Sequence, residues 1–378
     1  MKALCTLIVL FLGALPALAA PDACVVVPGP PGESLWTASA AQTPAGELVI
    51  LDSLQDRLLR LPSGSSTLTQ VTGPGAEMFP DVHPVQVRAL PGGDLLLQLA
   101  ATRTFASLDR SFELRTDQAR GVHGGERGDG RSLQSAWIWE PVTADELVAC
   151  SDIYRPIGGG GIEPAEALVR VSLDRPDEFE PLLEMPFDSP MRFACRLSLP
   201  LITVLDDGSV YALVPGNAAA SDPRFDQTRI YRAGVEGGPA QPLGGSLDKP
   251  LAQWPRLSTE ARMQELPVVM REIELAAMPT GLFGAKGWLY LLSRSPLPGG
   301  ATEWALTRID PASGSAAGTM KIESSANHLM VVPGPDYWAL IEKGPVLSFG
   351  YQELRRIVKM PVEQLADWRD GRTLCQGL

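Results

Sequence analysis

The chain has 378 residues, with 44 acidic side chains against 32 basic ones and a net charge of −12. An acidic surface repels phosphate backbones and anionic lipids, which argues against a nucleic-acid partner. Past residue 20 no apolar run is long enough to span a bilayer, so no transmembrane segment is expected in the mature chain.

The chain opens with Met1-Lys2, then an almost unbroken apolar run from Ala3 to Leu15, then Ala17-Leu18-Ala19. A basic start, a short apolar core and small residues at the cleavage position describe a secretory signal peptide over residues 1–19. Residues 20–378 then form the mature domain, expected in the periplasm or secreted. Cys5 leaves with the signal. Cys24, Cys150, Cys195 and Cys375 remain, an even number that suggests two disulfides in an oxidising compartment.

Through the mature chain, short apolar runs alternate with turn residues, and 37 Gly and 34 Pro accompany little helical periodicity. Cys24-Val25-Val26-Val27 reads as a short strand directly after the signal. The runs Glu47–Leu51, Asp94–Leu99, Ser209–Val214 and Trp288–Leu292 each follow a glycine-bearing turn. Equivalent runs start near residues 47, 94, 146, 209, 287 and 337, and the shorter intervals match one four-stranded propeller blade. The reading is an all-β fold, a six-bladed β-propeller in one domain, with seven blades or a β-sandwich as alternatives. A short helical insertion is expected near 255–266, where Ser258 can cap and Glu260–Leu266 are good helix formers. A second helix is expected in the tail over Val362–Trp368.

A ring of blades must close, and the strand at Val25–Val27 can complete the last blade opposite Arg355–Val358. A Cys24–Cys375 disulfide would lock that closure. Cys150, on the second strand of the third blade, and Cys195, in the next link, form the preferred second pair among three pairings.

The segment Gly46-Glu47-Leu48-Val49-Ile50-Leu51-Asp52, followed by Asp56-Arg57-Leu58-Leu59-Arg60-Leu61, resembles an NHL-type repeat. In that family a glycine, a short apolar strand and an aspartate precede an arginine that opens the next strand. The match covers one blade and only fragments elsewhere. It implies the six-bladed fold and leaves activity open, because members range from interaction modules to lyases and lactonases.

His83, His123 and His328 are the only histidines, and all fall in links from an outer strand to the next inner strand. Arg192 and Asn327 sit in equivalent links. Such links gather on one rim of a propeller, so these five residues are candidate ligand-binding groups around a channel mouth. The metal-ligand spacings of known motifs are absent, as are phosphate loops and nucleophile elbows. No cofactor is therefore indicated by motif; calcium or zinc held by scattered side chains leaves little linear trace. The glycine run Gly158–Gly161 lacks a following lysine and reads as a turn.

Two functional readings follow. The first is an exported binding protein that presents one face to a protein, glycan or small molecule. The second is a metal-dependent, lactonase-like hydrolase working at the channel mouth.

Overall fold

The computed structural model describes residues 23–29, 34–52, 54–72, 83–99, 104–113, 120–121, 127–175, 178–185, 191, 199–216, 222–244, 277–346 and 352–377. The signal segment 1–19 and the helix expected near 255–266 lie outside the described residues.

The strands form six small antiparallel sheets, the blades of a six-bladed β-propeller. Strand β1 (Val25–Val27) comes first in the chain but belongs to the last sheet. Blade 1 holds β2 (Thr37–Gln42), β3 (Leu48–Asp52), β4 (Arg57–Leu61) and β5 (Thr69–Gln70). Blade 2 holds β6 (Pro84–Ala89), β7 (Leu95–Leu99), β8 (Thr104–Leu108) and β9 (Arg120–Gly121). Blade 3 holds β10 (Ser132–Pro141), β11 (Glu146–Ile157), β12 (Gly161–Ser172) and β13 (Glu180–Met185). Blade 4 holds β14 (Ile202–Val204), β15 (Val210–Val214), β16 (Arg229–Gly234) and β17 (Gly237–Pro242). Blade 5 holds β18 (Met278–Ala285), β19 (Trp288–Pro296), β20 (Thr302–Ile309) and β21 (Ala316–Ile322). Blade 6 holds β22 (His328–Val332), β23 (Tyr337–Val346) and β24 (Gln352–Pro361), with β1 as its fourth strand.

The second strand of each blade starts within a residue of the position expected from the sequence. The reason is burial. Strands β3 and β15 are buried at every residue, because each faces a neighbouring blade on both sides. A strand covered on both faces reads as a continuous apolar run. The glycine ahead of such a strand has its own task. Gly46 adopts φ +77°, and a Cβ there would lie 3.0 Å from the Asp336 carboxylate of blade 6.

The core is a ring of apolar seams between blades. Val87 and Leu97 meet Val49 and Leu51 between blades 1 and 2, and Phe105 meets Trp139 and Val169 between blades 2 and 3. Larger clusters join blades 3, 4 and 5 and blades 5 and 6. Ile50 and Leu48 meet Ile341 and Ala339 between blades 6 and 1. Each fully buried Leu or Ile in these seams contributes roughly 1.5–3 kcal/mol.

Closure follows the expected route. β1 pairs antiparallel with β24, placing Val26 opposite Val358. Cys24 and Cys375 form a disulfide across 351 residues of sequence. The tail carries a one-turn helix, α1 (Glu363–Ala366), inside the span expected to be helical. It then adds β25 (Thr373–Leu374) in parallel to the edge of β21. Both chain ends are thereby fastened to blades 5 and 6. Cys150 is buried on β11 and disulfide-bonded; Cys195, its expected partner, lies outside the described residues. The Gly158–Gly161 run closes the β11–β12 hairpin, with Gly159 and Gly160 at φ +86° and +81°.

Candidate functional site

The first strand of every blade lines the central channel. A cavity of about 420 Å³ occupies one end of that channel. Its walls come from the C-terminal halves of β2, β6, β10, β14, β18 and β22, together with the turns that follow them. The volume lies within the range of small-molecule sites.

The charged groups of the cavity are Arg88 of blade 2, Glu140 of blade 3 and Asp206 in the turn after β14 of blade 4. Arg88 on β6 donates from Nε to Glu140 Oε1 on β10 at 2.7 Å. Its Nη1 donates to Ser39 Oγ at 3.0 Å and to the Val87 carbonyl at 2.9 Å. The guanidinium also lies 5.6 Å from the Trp139 ring centroid, a cation–π contact. Trp139 is held by Gln98, which accepts from its Nε1 at 2.9 Å and donates to the Ala136 carbonyl at 2.6 Å. Gln86, one turn of the pleat from Arg88, donates to the Trp137 carbonyl. These bonds fix the pair rigidly at a blade–blade seam.

Burial pushes the Glu140 carboxyl above its ordinary pKa, and the Arg88 charge and hydrogen bond pull the other way. Both side chains nonetheless keep access to the cavity, 15% for Arg88 and 23% for Glu140. Among the described residues, Arg88 Nη2 and Glu140 Oε2 have no partner. On the far wall, Thr203 of β14 accepts from the Gly284 N–H of β18 at 2.8 Å. That close approach needs glycine, since a Cβ on Gly284 would sit 2.6 Å from Leu205 Cδ2.

The residues singled out from the sequence sit elsewhere. His83 precedes β6, and Asn327 and His328 sit at the start of β22. Those are the N-terminal ends of inner strands, at the rim opposite the cavity. His83 Nδ1 lies 2.7 Å from Asp56 Oδ2, in the turn between β3 and β4. Both residues have positive φ, 46° and 45°. His328 pairs in register with Lys343 of β23. His123 and Arg192 lie outside the described residues. Among the described residues, no group of three or more His, Cys, Asp or Glu side chains is placed to hold a metal ion.

Arg88 and Glu140 escaped the sequence reading because they are 52 residues apart and on different blades. Each is one polar residue near the end of a strand, where polar residues are ordinary. The usable signal was positional: both precede the first turn of a blade, where six strand ends converge.

No family model matches the chain, and no curated protein matches it. The NHL-type resemblance of residues 46–61 therefore stands on those residues alone. Among solved structures, a luciferin-regenerating enzyme is 12% identical with a TM-score of 0.46, covering 93% of this chain and 99% of its own. A gluconolactonase of Xanthomonas campestris is 12% identical with a TM-score of 0.44, covering 89% and 88%. Regucalcin of Agrobacterium tumefaciens, a calcium-binding protein, is 12% identical with a TM-score of 0.40, covering 90% and 93%. At such identities, activity, ligand and cofactor must be argued from this chain's own residues.

Proposed function

We propose that this is an exported β-propeller that binds a small, uncharged, hydroxyl-bearing molecule in the channel cavity. Export is supported by the composition of residues 1–19 and by the Cys24–Cys375 disulfide. Among the described residues, no helix is long and apolar enough to cross a membrane.

The observation that carries the ligand class is the Arg88–Glu140 pair. It offers a free donor, Nη2, beside a free acceptor, Oε2, and the pair itself carries no net charge. A hydroxyl group both accepts and donates, so one ligand hydroxyl can bridge the two. An anion would meet the Glu140 carboxylate and a cation the Arg88 guanidinium. The surrounding wall of Ala40, Phe283 and Val331 supplies apolar area for the ligand's carbon frame.

The test is calorimetry with the purified chain against neutral sugars and polyols, small carboxylates and small amines. A neutral hydroxylated compound should bind, and Glu140→Gln should weaken it about tenfold or more, the worth of a charge-assisted hydrogen bond. Binding confined to carboxylates or amines, or binding indifferent to Glu140→Gln, would overturn the reading.

A further inference from the structure

The seam between blades 6 and 1 is apolar for most of its length and turns polar at one end. Ala339 and Ile341 of β23 pack against Leu48 and Ile50 of β3. Side chains alternate along a strand, so Lys343 shares the face of Ile341 and points toward blade 1. His328 pairs with it in register on β22. On blade 1 the same alternation turns Asp52 toward blade 6, and Thr37 of β2 and Arg57 of β4 both pair with Asp52. Thr37 and His328 open adjacent inner strands, which places the whole group at the rim opposite the cavity.

Most members of this group are committed. Asp52 accepts from Arg57 Nε at 3.1 Å and from the Trp36 N–H at 3.3 Å. Glu342 points to the other face of β23 and accepts from Arg356 at 2.9 Å. Glu353, on β24, accepts from Ser34 Oγ at 2.9 Å, and Arg355 lies along Gly344. Two groups are left over. Lys343 is only 6% exposed and has no hydrogen bond or ion pair among the described residues. Thr37, at 4% exposed, has a buried Oγ1 with no partner.

A buried ammonium without an acceptor is expensive, and so is a buried hydroxyl without one. Burial lowers the Lys343 pKa to about 8, which still leaves most of its protons in place at neutral pH. What this end of the seam lacks is an acceptor of single negative charge. We propose that Lys343 and Thr37 form a binding site for a small carboxylate, the ammonium supplying the counter-charge and the hydroxyl a second hydrogen bond. A doubly charged phosphate would leave one charge unmatched beside Asp52. The assignment does not rest on the cavity ligand, which would sit at the other end of the channel.

The probe is acetate, with phosphate in parallel, added to the purified full chain while thermal unfolding and calorimetric heat are followed. Acetate should bind and raise the melting temperature at pH 7 more than phosphate does. Its affinity should stay level up to about pH 8 and then fall about tenfold per pH unit as the ammonium is lost. Lys343→Gln should abolish the response, and Thr37→Val should weaken it several-fold. Lys359→Gln, which alters a buried lysine at the other end of the same seam, should leave it intact. His328→Gln should keep the fall above pH 8, which assigns the titration to Lys343. An acetate response that survives Lys343→Gln would overturn the site, as would a wild-type chain that ignores acetate or prefers phosphate.

Discussion

Lys343 and Lys359 project from blade 6 into one seam with blade 1, yet they live in opposite circumstances. Lys359 Nζ donates to the carbonyls of Ser63 and Ser65 at 2.7 Å each and to Pro62 at 3.4 Å. It also sits 4.6 Å from the Tyr337 ring centroid. Lys343 has no such shell. Burial depresses both pKa values, so burial alone does not separate them. Satisfaction does. A lysine whose donors are all met is a clamp between blades, whereas one left with none is a place where a partner belongs.

That contrast presupposes a blade 6 that stays shut when either lysine is changed. The disulfide and β1 are its fastening. Replacing Cys24 and Cys375 with Ala should produce the largest loss, about 2–5 kcal/mol, read as a lowered denaturant midpoint. The acetate response should persist in the folded fraction. Should the double variant lose little stability, the strand pairing of β1 with β24 would be sufficient closure by itself.

Lys359→Met comes next. It strips a donor from three carbonyls and removes a cation–π contact, and should cost about 2 kcal/mol in chemical denaturation. Lys343→Met should act in the opposite sense. In buffer free of small carboxylates it should stabilise the protein by about 1–2 kcal/mol at pH 7, because an unpaired buried charge disappears. The pH dependence follows from the lowered pKa. Between about pH 8 and the ordinary lysine range the folded chain binds fewer protons than the unfolded chain. Wild-type stability should therefore gain on Lys343→Met as pH rises through that window. Parallel stability–pH curves for the two proteins would show that Lys343 is not held as a buried ammonium and would erase the contrast.

The sequence was legible where burial is two-sided and opaque where polar side chains converge from different blades. The runs at Leu48–Leu51 and Val210–Val214 could be read because a strand covered on both faces has no polar positions to break its pattern. Closure by Val25–Val27 could be read because β-branched residues beside Cys24 had to find an edge. Lys343 follows the apolar run Trp338–Ile341, where a lysine is ordinarily solvated; its burial arises from blade 1, nearly 300 residues earlier in the chain. Arg88 and Glu140 were hidden likewise, since inner strands such as Thr37–Gln42 are small and polar and carry little hydrophobic pattern. His83 does fall in the link before β6, His328 opens β22 itself, and His123 lies outside the described residues. What the linear order could not show is that the cavity opens at the opposite ends of the inner strands.

His83 sharpens the same distinction at the smallest scale. It and Asp56 are held 2.7 Å apart, with His83 59% exposed. An exposed contact of this kind contributes about 1 kcal/mol or less. Each residue also adopts a left-handed backbone, which costs a non-glycine side chain a similar amount. His83→Gly removes the bond and relieves the strain together, so stability should stay within about 0.5 kcal/mol of wild type. Affinity for a neutral ligand in the cavity should not change, because His83 stands at the N-terminal end of β6 and Arg88 near the C-terminal end. A His83→Gly variant that keeps its stability but loses that ligand would move the binding site to the other rim.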